Sequence, residues 1–96
     1  MNRENTLGTH DGADLNALAE RIATREDFAA FAGALRDHLQ GQPSEWENPD
    51  LASFLDAIAA WVKDMDGYYL SRGEPVPATP SWKTFGRILL AARVYE

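Results

Sequence analysis

Cysteine is missing from the 96 residues, so disulfides, zinc–thiolate sites and thiol nucleophiles are all excluded. Histidine is nearly missing too. The two present, His10 and His38, are too few to build a histidine-rich metal site. The longest unbroken apolar run, Ala57 to Val62, is far shorter than the roughly 20 residues of a bilayer-spanning helix. No apolar stretch follows the early charges of Met1-Asn2-Arg3-Glu4, so an export signal is not expected. Nor is there a glycine-rich phosphate loop. These gaps lead to the expectation of a cytoplasmic protein with no membrane contact and no cofactor. Basic residues are in deficit as well: 9 Lys and Arg stand against 15 Asp and Glu, a formal charge of −6. Nucleic-acid phosphates repel such a surface, which disfavours DNA or RNA as partners. Such acidity ordinarily serves solubility alone; the sharper reading is that a basic protein is the target.

What is present reads as helix. Hydrophobic residues make up 45% and charged residues 25%, a globular balance that argues against disorder of the whole chain. Residues 1–13 hold mostly Asn, Thr, Gly, His and Asp, and a flexible tail is expected there. Asp14 can cap a first helix whose apolar positions are Leu15, Leu18, Ala19 and Ile22. That helix cannot simply run on: at about 100° per residue, Phe28 would point about 220° away from Leu15. Thr24 and Asp27 supply a capping box where a break is needed. A second stripe, Phe28, Phe31, Ala32, Leu35 and Leu39, runs from there until Gly41 and Pro43 end it.

Asn48 followed by Pro49 predicts the start of a third helix, with Leu51, Phe54, Leu55, Ile58, Trp61, Val62 and Met65 within about 120° of one face. Gly67 leaves its end open, near Asp66 or one turn later. A stiff, Pro-rich connector from Gly73 through Pro75 and Pro77 to Ala78 follows. Thr79 and Pro80 then repeat the cap-and-proline device before Trp82, Phe85, Ile88, Leu89 and Ala92. Val76 and Tyr68–Leu70 offer at most a short strand-like pairing. The expected architecture is all-α: a compact bundle of about four helices over roughly 14–23, 25–40, 49–68 and 80–95, forming one domain over 14–96.

Candidate chemistry is sparse. Aligning Gly67 with the invariant glycine of an EF-hand puts Val62 and Gly73 where oxygen ligands belong, so Asp64 and Asp66 read as a solvated face. Ser44, Ser53, Ser71 and Ser81 lack a nucleophile-elbow context. Glu45 and Glu47 could pair as acid and base, but glutamates in an exposed loop are ordinarily just solvated. Trp61, Phe54, Trp82 and Phe85 lie on stripes and are expected in the core. Trp46 differs, because it precedes the Asn48 cap. It either folds back over one end of the core, the favoured role, or offers its indole to a partner. If Trp46, Glu45, Glu47, Tyr68, Pro75 and Pro77 clustered, they would form an aromatic and proline-lined partner-binding groove.

Asp27-Phe28, Phe31, Leu35, Glu45-Trp46-Glu47-Asn48, Leu51, Phe54-Leu55, Trp61, Gly67-Tyr68-Tyr69, Pro77, Ser81-Trp82, Phe85, Ile88-Leu89, Ala91-Ala92 and Tyr95-Glu96 resemble a family of small bacterial proteins of unknown function. The resemblance covers residues 15–96 and is carried most specifically by the Trp-Glu-Asn cluster with the C-terminal Tyr-Glu. It implies a bacterial single-domain protein and transfers no activity or site. The functional expectation is a protein-interaction module, either an adaptor or an immunity-type antidote, rather than an enzyme. The alternatives are a small-molecule or enzymatic domain using Glu45, Glu47, Asp64 or Asp66 around Trp46, and a homo-oligomer (a homodimer, for instance) formed through Leu90 or Val94.

Overall fold

A computed structural model describes residues 12–96. It contains α1 (Gly12–Glu20), α2 (Arg25–Gly41), a 3₁₀ turn (Pro43–Glu45), α3 (Leu51–Ser71) and α4 (Trp82–Ala92), with no strand among the described residues. The four-helix expectation holds. The first eleven residues of the expected tail lie outside the described ones, while Gly12 and Ala13 already belong to α1. Asp14 therefore sits within the first turn of that helix rather than ahead of it.

The break at Thr24 is where the capping chemistry put it. Thr24 Oγ1 accepts from the Asp27 amide at 3.1 Å, and Asp27 Oδ2 accepts from the amides of Thr24 and Ala23 at 3.2 and 2.9 Å. Those amides hold the Asp27 carboxyl below its ordinary pKa. Thr24→Ala should cost about 1 kcal/mol, read as a lower urea midpoint at unchanged slope. An unchanged midpoint would show that the cap contributes nothing.

The starts of α3 and α4 fall two residues later than expected. Their N-caps are Asp50 and Ser81, not Asn48 and Thr79. Each later cap has a hydroxyl three residues on that reinforces it: Ser53 Oγ donates to Asp50 at 2.9 Å, and Thr84 Oγ1 accepts from the Ser81 amide at 3.1 Å. Asn48 is committed elsewhere. Its Nδ2 donates to the carbonyls of Ala92 and Tyr95 at 2.9 and 2.7 Å, and its backbone amide donates to the Arg93 carbonyl at 3.1 Å. It thus closes the C-terminal carbonyls of α4 that no helix bond can reach.

At its other end α3 passes through Gly67 and stops at Gly73, whose φ of 70° suits glycine alone at little cost. The Gly73 amide bonds Leu70 O at 3.1 Å and the Glu74 amide bonds Tyr69 O at 2.9 Å, a Schellman motif. Tyr68–Leu70 are thereby helical, and the strand-like pairing does not form.

The packing hub is α4. Each of the other three helices packs against it, α1 and α2 also meet, and α2 and α3 scarcely touch. Leu15, Ala19, Ile22, Phe31, Ala34, Leu35 and Trp46 make the buried core, with Phe54 and Leu89 half-buried against it. Gly86 lets the chain after α1 approach closely: a Cβ there would lie 2.3 Å from Ile22 Cδ1.

The expected single core face of α3 is only half realised. Ala57 and Trp61 are buried, but Leu51, Leu55 and Val62 keep 71%, 53% and 41% of their surface exposed. The reason is geometric. The exposed three fall within about 40° of one another, while Trp61 and Ala57 lie about 80–120° further round. One neighbour, α4, covers a strip and leaves the rest of the arc open. Trp82 and Phe85 are likewise only partly covered, stacking on Phe28 at 5.5 and 6.3 Å at the edge of the core.

Candidate functional site

Because α2 and α3 diverge, an apolar groove of about 290 Å³ opens between them. Ala32, Leu35 and Leu39 line one wall and Leu51 and Phe54 the other, with Leu89 of α4 and Trp46 completing the lining. Arg36 and Asp50 mark its polar rim, and Arg36 is already paired with Asp37 at 3.0 Å. The volume lies just under the ~300–1,000 Å³ of small-molecule pockets. It suits a few side chains from another molecule better than a whole ligand.

Trp46 is held in place from beneath. Its Nε1–H donates to His38 Nδ1 at 2.8 Å, and the indole stacks on Phe54 at 5.8 Å between ring centres. An accepting Nδ1 places the imidazole proton on Nε2. Nε2 lies 3.2 Å from Glu45 Oε1 but off the line that a hydrogen bond requires, so the Trp46 contact is the one that orients the ring. His38 is 1% exposed, on the buried side of α2.

The expected groove residues do not come together. Trp46 packs on Phe54 near the start of α3, whereas Tyr68 lies 14 residues, or about 21 Å, further along that helix. Tyr68 stacks against Trp61 and Tyr69 under the guanidinium groups of Arg72 and Arg87. Glu47 points into solvent beside Glu96, and their shared hydrogen bond raises its pKa. Pro75 is exposed and Pro77 half-buried, and neither lines the groove. Asp64 accepts from the Tyr95 hydroxyl. None of the four acids weighed for catalysis, Glu45, Glu47, Asp64 and Asp66, lines the groove.

A second cleft, of about 550 Å³, lies between α1, the end of α3 and α4, walled by Glu20, Tyr68, Arg72, Arg87 and Arg93. Here Arg72 and Arg87 are answered by acids, whereas the buried Arg93 Nε has no hydrogen-bond partner. Arg87 donates to Glu20 through Nε at 2.9 Å and Nη2 at 2.6 Å, and to Glu74 through Nη1 at 3.0 Å. Glu74 is in place because the Gly73 turn folds it back, and it also accepts from Arg72 Nε at 3.0 Å. Hydrogen bonds from these guanidiniums hold Glu20 and Glu74 below the usual carboxylate range. The hydrogen bond to Glu20, ahead of other causes, keeps Arg87 firmly protonated. This is a strut joining α1 to α4. Sequence spacing could not reveal it, since Glu20 and Arg87 are 67 residues apart.

Among the described residues, no helix is long and apolar enough to cross a membrane and no cluster of three or more acids and histidines could hold a metal. The geometry also joins the most specific parts of the sequence pattern. Trp46 seals the core, Asn48 clasps the end of α4, and Tyr95 and Glu96 lie against that clasp. No curated protein and no solved structure matches the chain. The model of a family of unknown function, DUF7660, does match, over residues 24–96, which takes in everything from the Thr24 cap to the Tyr95-Glu96 clasp, and the chain belongs to that family.

Proposed function

We propose that the protein is an interaction module that takes an apolar segment of a basic partner protein into the groove between α2 and α3. Adaptors and antidotes to toxic proteins both work this way. The observation that carries the reading is the groove itself, apolar in its lining and bordered by the uncovered face of α3. Charge adds direction. Glu45, Glu47, Asp50 and Glu96 surround that end of the molecule, and the chain as a whole is at −6. An amphipathic helix with basic flanks satisfies both features.

Ala32→Arg tests the proposal. Ala32 is half-exposed on the α2 wall, so a long side chain there fills the groove without emptying the core, and it adds a like charge against a basic partner. Immobilised wild-type protein should retain a partner from its native cells at low salt and release it as salt rises. The Ala32→Arg protein should bind that partner at least tenfold more weakly, about 1.4 kcal/mol. Equal retention by both forms would overturn the proposal.

A further inference from the structure

The cleft between α1, the end of α3 and α4 holds a positive charge that the strut leaves unused. Arg72 and Arg87 are committed to Glu20 and Glu74 through hydrogen bonds of 2.6 to 3.0 Å. Arg93 walls the same cleft and is not committed. Its Nε is buried without a hydrogen-bond partner, and among the described residues no carboxylate lies within ion-pairing distance of its guanidinium. Glu45 is the acid whose charge reaches it, but Glu45 Oε1 faces His38 Nε2 at 3.2 Å. Burial outweighs that help and lowers the Arg93 pKa, as befits a cation short of a counter-charge.

We infer that this cleft binds a small organic carboxylate, with its oxygens on the Arg93 guanidinium and its apolar body against Leu90, Ala91 and Val94. The cleft has the room, since its 550 Å³ falls within the ~300–1,000 Å³ of small-molecule sites. Charge sets the valence of the ligand. Arg72 and Arg87 cancel against Glu20 and Glu74, which leaves the single charge of Arg93 for a monoanion to neutralise. A phosphate dianion would leave one negative charge unanswered. The planar fork of a guanidinium also matches the two oxygens of a carboxylate. Tyr68, on the same wall, keeps its proton because burial raises its pKa, so it adds a donor and no second anion. The formal charge of −6 does not forbid the ligand, because acids farther off are screened over ~8 Å at physiological salt. The cleft shares no residue with the groove between α2 and α3, so the inference stands apart from the partner-binding reading.

Titration of the full chain with benzoate, followed by proton–nitrogen correlation spectra, should move the Arg93 Nε–H and the amides of residues 90–94 with a Kd of about 1 mM or tighter. Benzamide, which has the same shape without the charge, and inorganic phosphate should each bind at least tenfold more weakly. Arg93→Met should weaken benzoate at least tenfold while leaving the Tm of the unliganded protein unchanged or higher, because no protein partner is lost. An N-acetylated apolar tripeptide with a free carboxyl end separates two sources of the same group. Tighter binding than benzoate names a chain end, and weaker binding a free acid. A benzoate Kd above about 10 mM, or equal binding by wild type and Arg93→Met, overturns the inference. So does benzamide or phosphate binding as tightly as benzoate. A Tm lowered by Arg93→Met would assign the guanidinium to the negative end of α4, where the helix dipole favours a cation, and would overturn it as well. The Ala32→Arg experiment decides the groove reading separately.

Discussion

Trp46→Ala is expected to lower the free energy of unfolding by about 4 kcal/mol, a large share of the ~5–15 kcal/mol available to a domain of this size. Two losses combine. The indole is 8% exposed and packs on Phe54 and His38, so truncation opens a void at the junction of α2, α3 and α4. It also strips the only donor from His38 Nδ1, in a ring that is 1% exposed. Trp46→Phe separates the two contributions. Most of the packing survives while the acceptor is orphaned, for an expected cost of about 1–3 kcal/mol. Urea denaturation followed by circular dichroism measures both. A Trp46→Phe protein that unfolds at the wild-type midpoint would show that the bond to His38 contributes nothing.

Arg87→Met should cost about 2 kcal/mol. Methionine keeps the aliphatic stem but abandons the bonds to Glu20 and Glu74 and the faces of Tyr68 and Tyr69. A wholly buried pair broken in this way loses ~3–5 kcal/mol. Glu20 and Glu74 are 42% and 34% exposed, so water rehydrates them and the cost is smaller.

The same strut sets part of the acid response. Both carboxyls are held below their ordinary 4.5 in the folded state. Their contribution is therefore complete above that value and is lost as pH falls through the lower, folded pKa values. Without Arg87, Glu20 returns towards 4.5 while Arg72 still holds Glu74 low, and the fall in Tm between pH 7 and pH 3 should shrink by the Glu20 share. Asp27 and Asp50, held low by their capping amides, keep some of that fall in both proteins. Glu47 acts in the opposite sense, because a raised folded pKa favours the fold as pH drops. Identical acid limbs in wild type and Arg87→Met would remove the strut from the account.

The parts of this fold written locally were legible in the sequence, and the parts written across long separations were not. Thr24 and Asp27 sit three residues apart, and the turn they make is visible in the spelling alone. Asn48 misleads for the opposite reason. Next to Pro49 it has every local mark of an N-cap, yet its side-chain amide is claimed by carbonyls 44 and 47 residues away. The apolar arc of α3 was visible, but how much of it a neighbour would cover depends on how many helices reach it. One does, so Leu51 and Val62 stay in water. The candidate groove was anticipated only in Trp46, since Ala32, Leu39 and Leu89 look like ordinary core positions until α2 and α3 are seen to part. His38 carried no signal at all, because a lone histidine acquires its meaning from the indole that reaches it.

The helix that every other helix leans on is the last of the four along the chain. Part of the assembly must therefore wait, since α3 meets no adequate surface and α1 has only α2 to pack on until residues 82–92 arrive. The Glu20–Arg87 contact closes a loop of 67 residues, and loops of that size cost entropy before any packing repays it. A four-helix protein is ordinarily a fast folder because its contacts are local. This one has the connectivity of a slower kind, with its early helices waiting, half-exposed, for the segment that unites them.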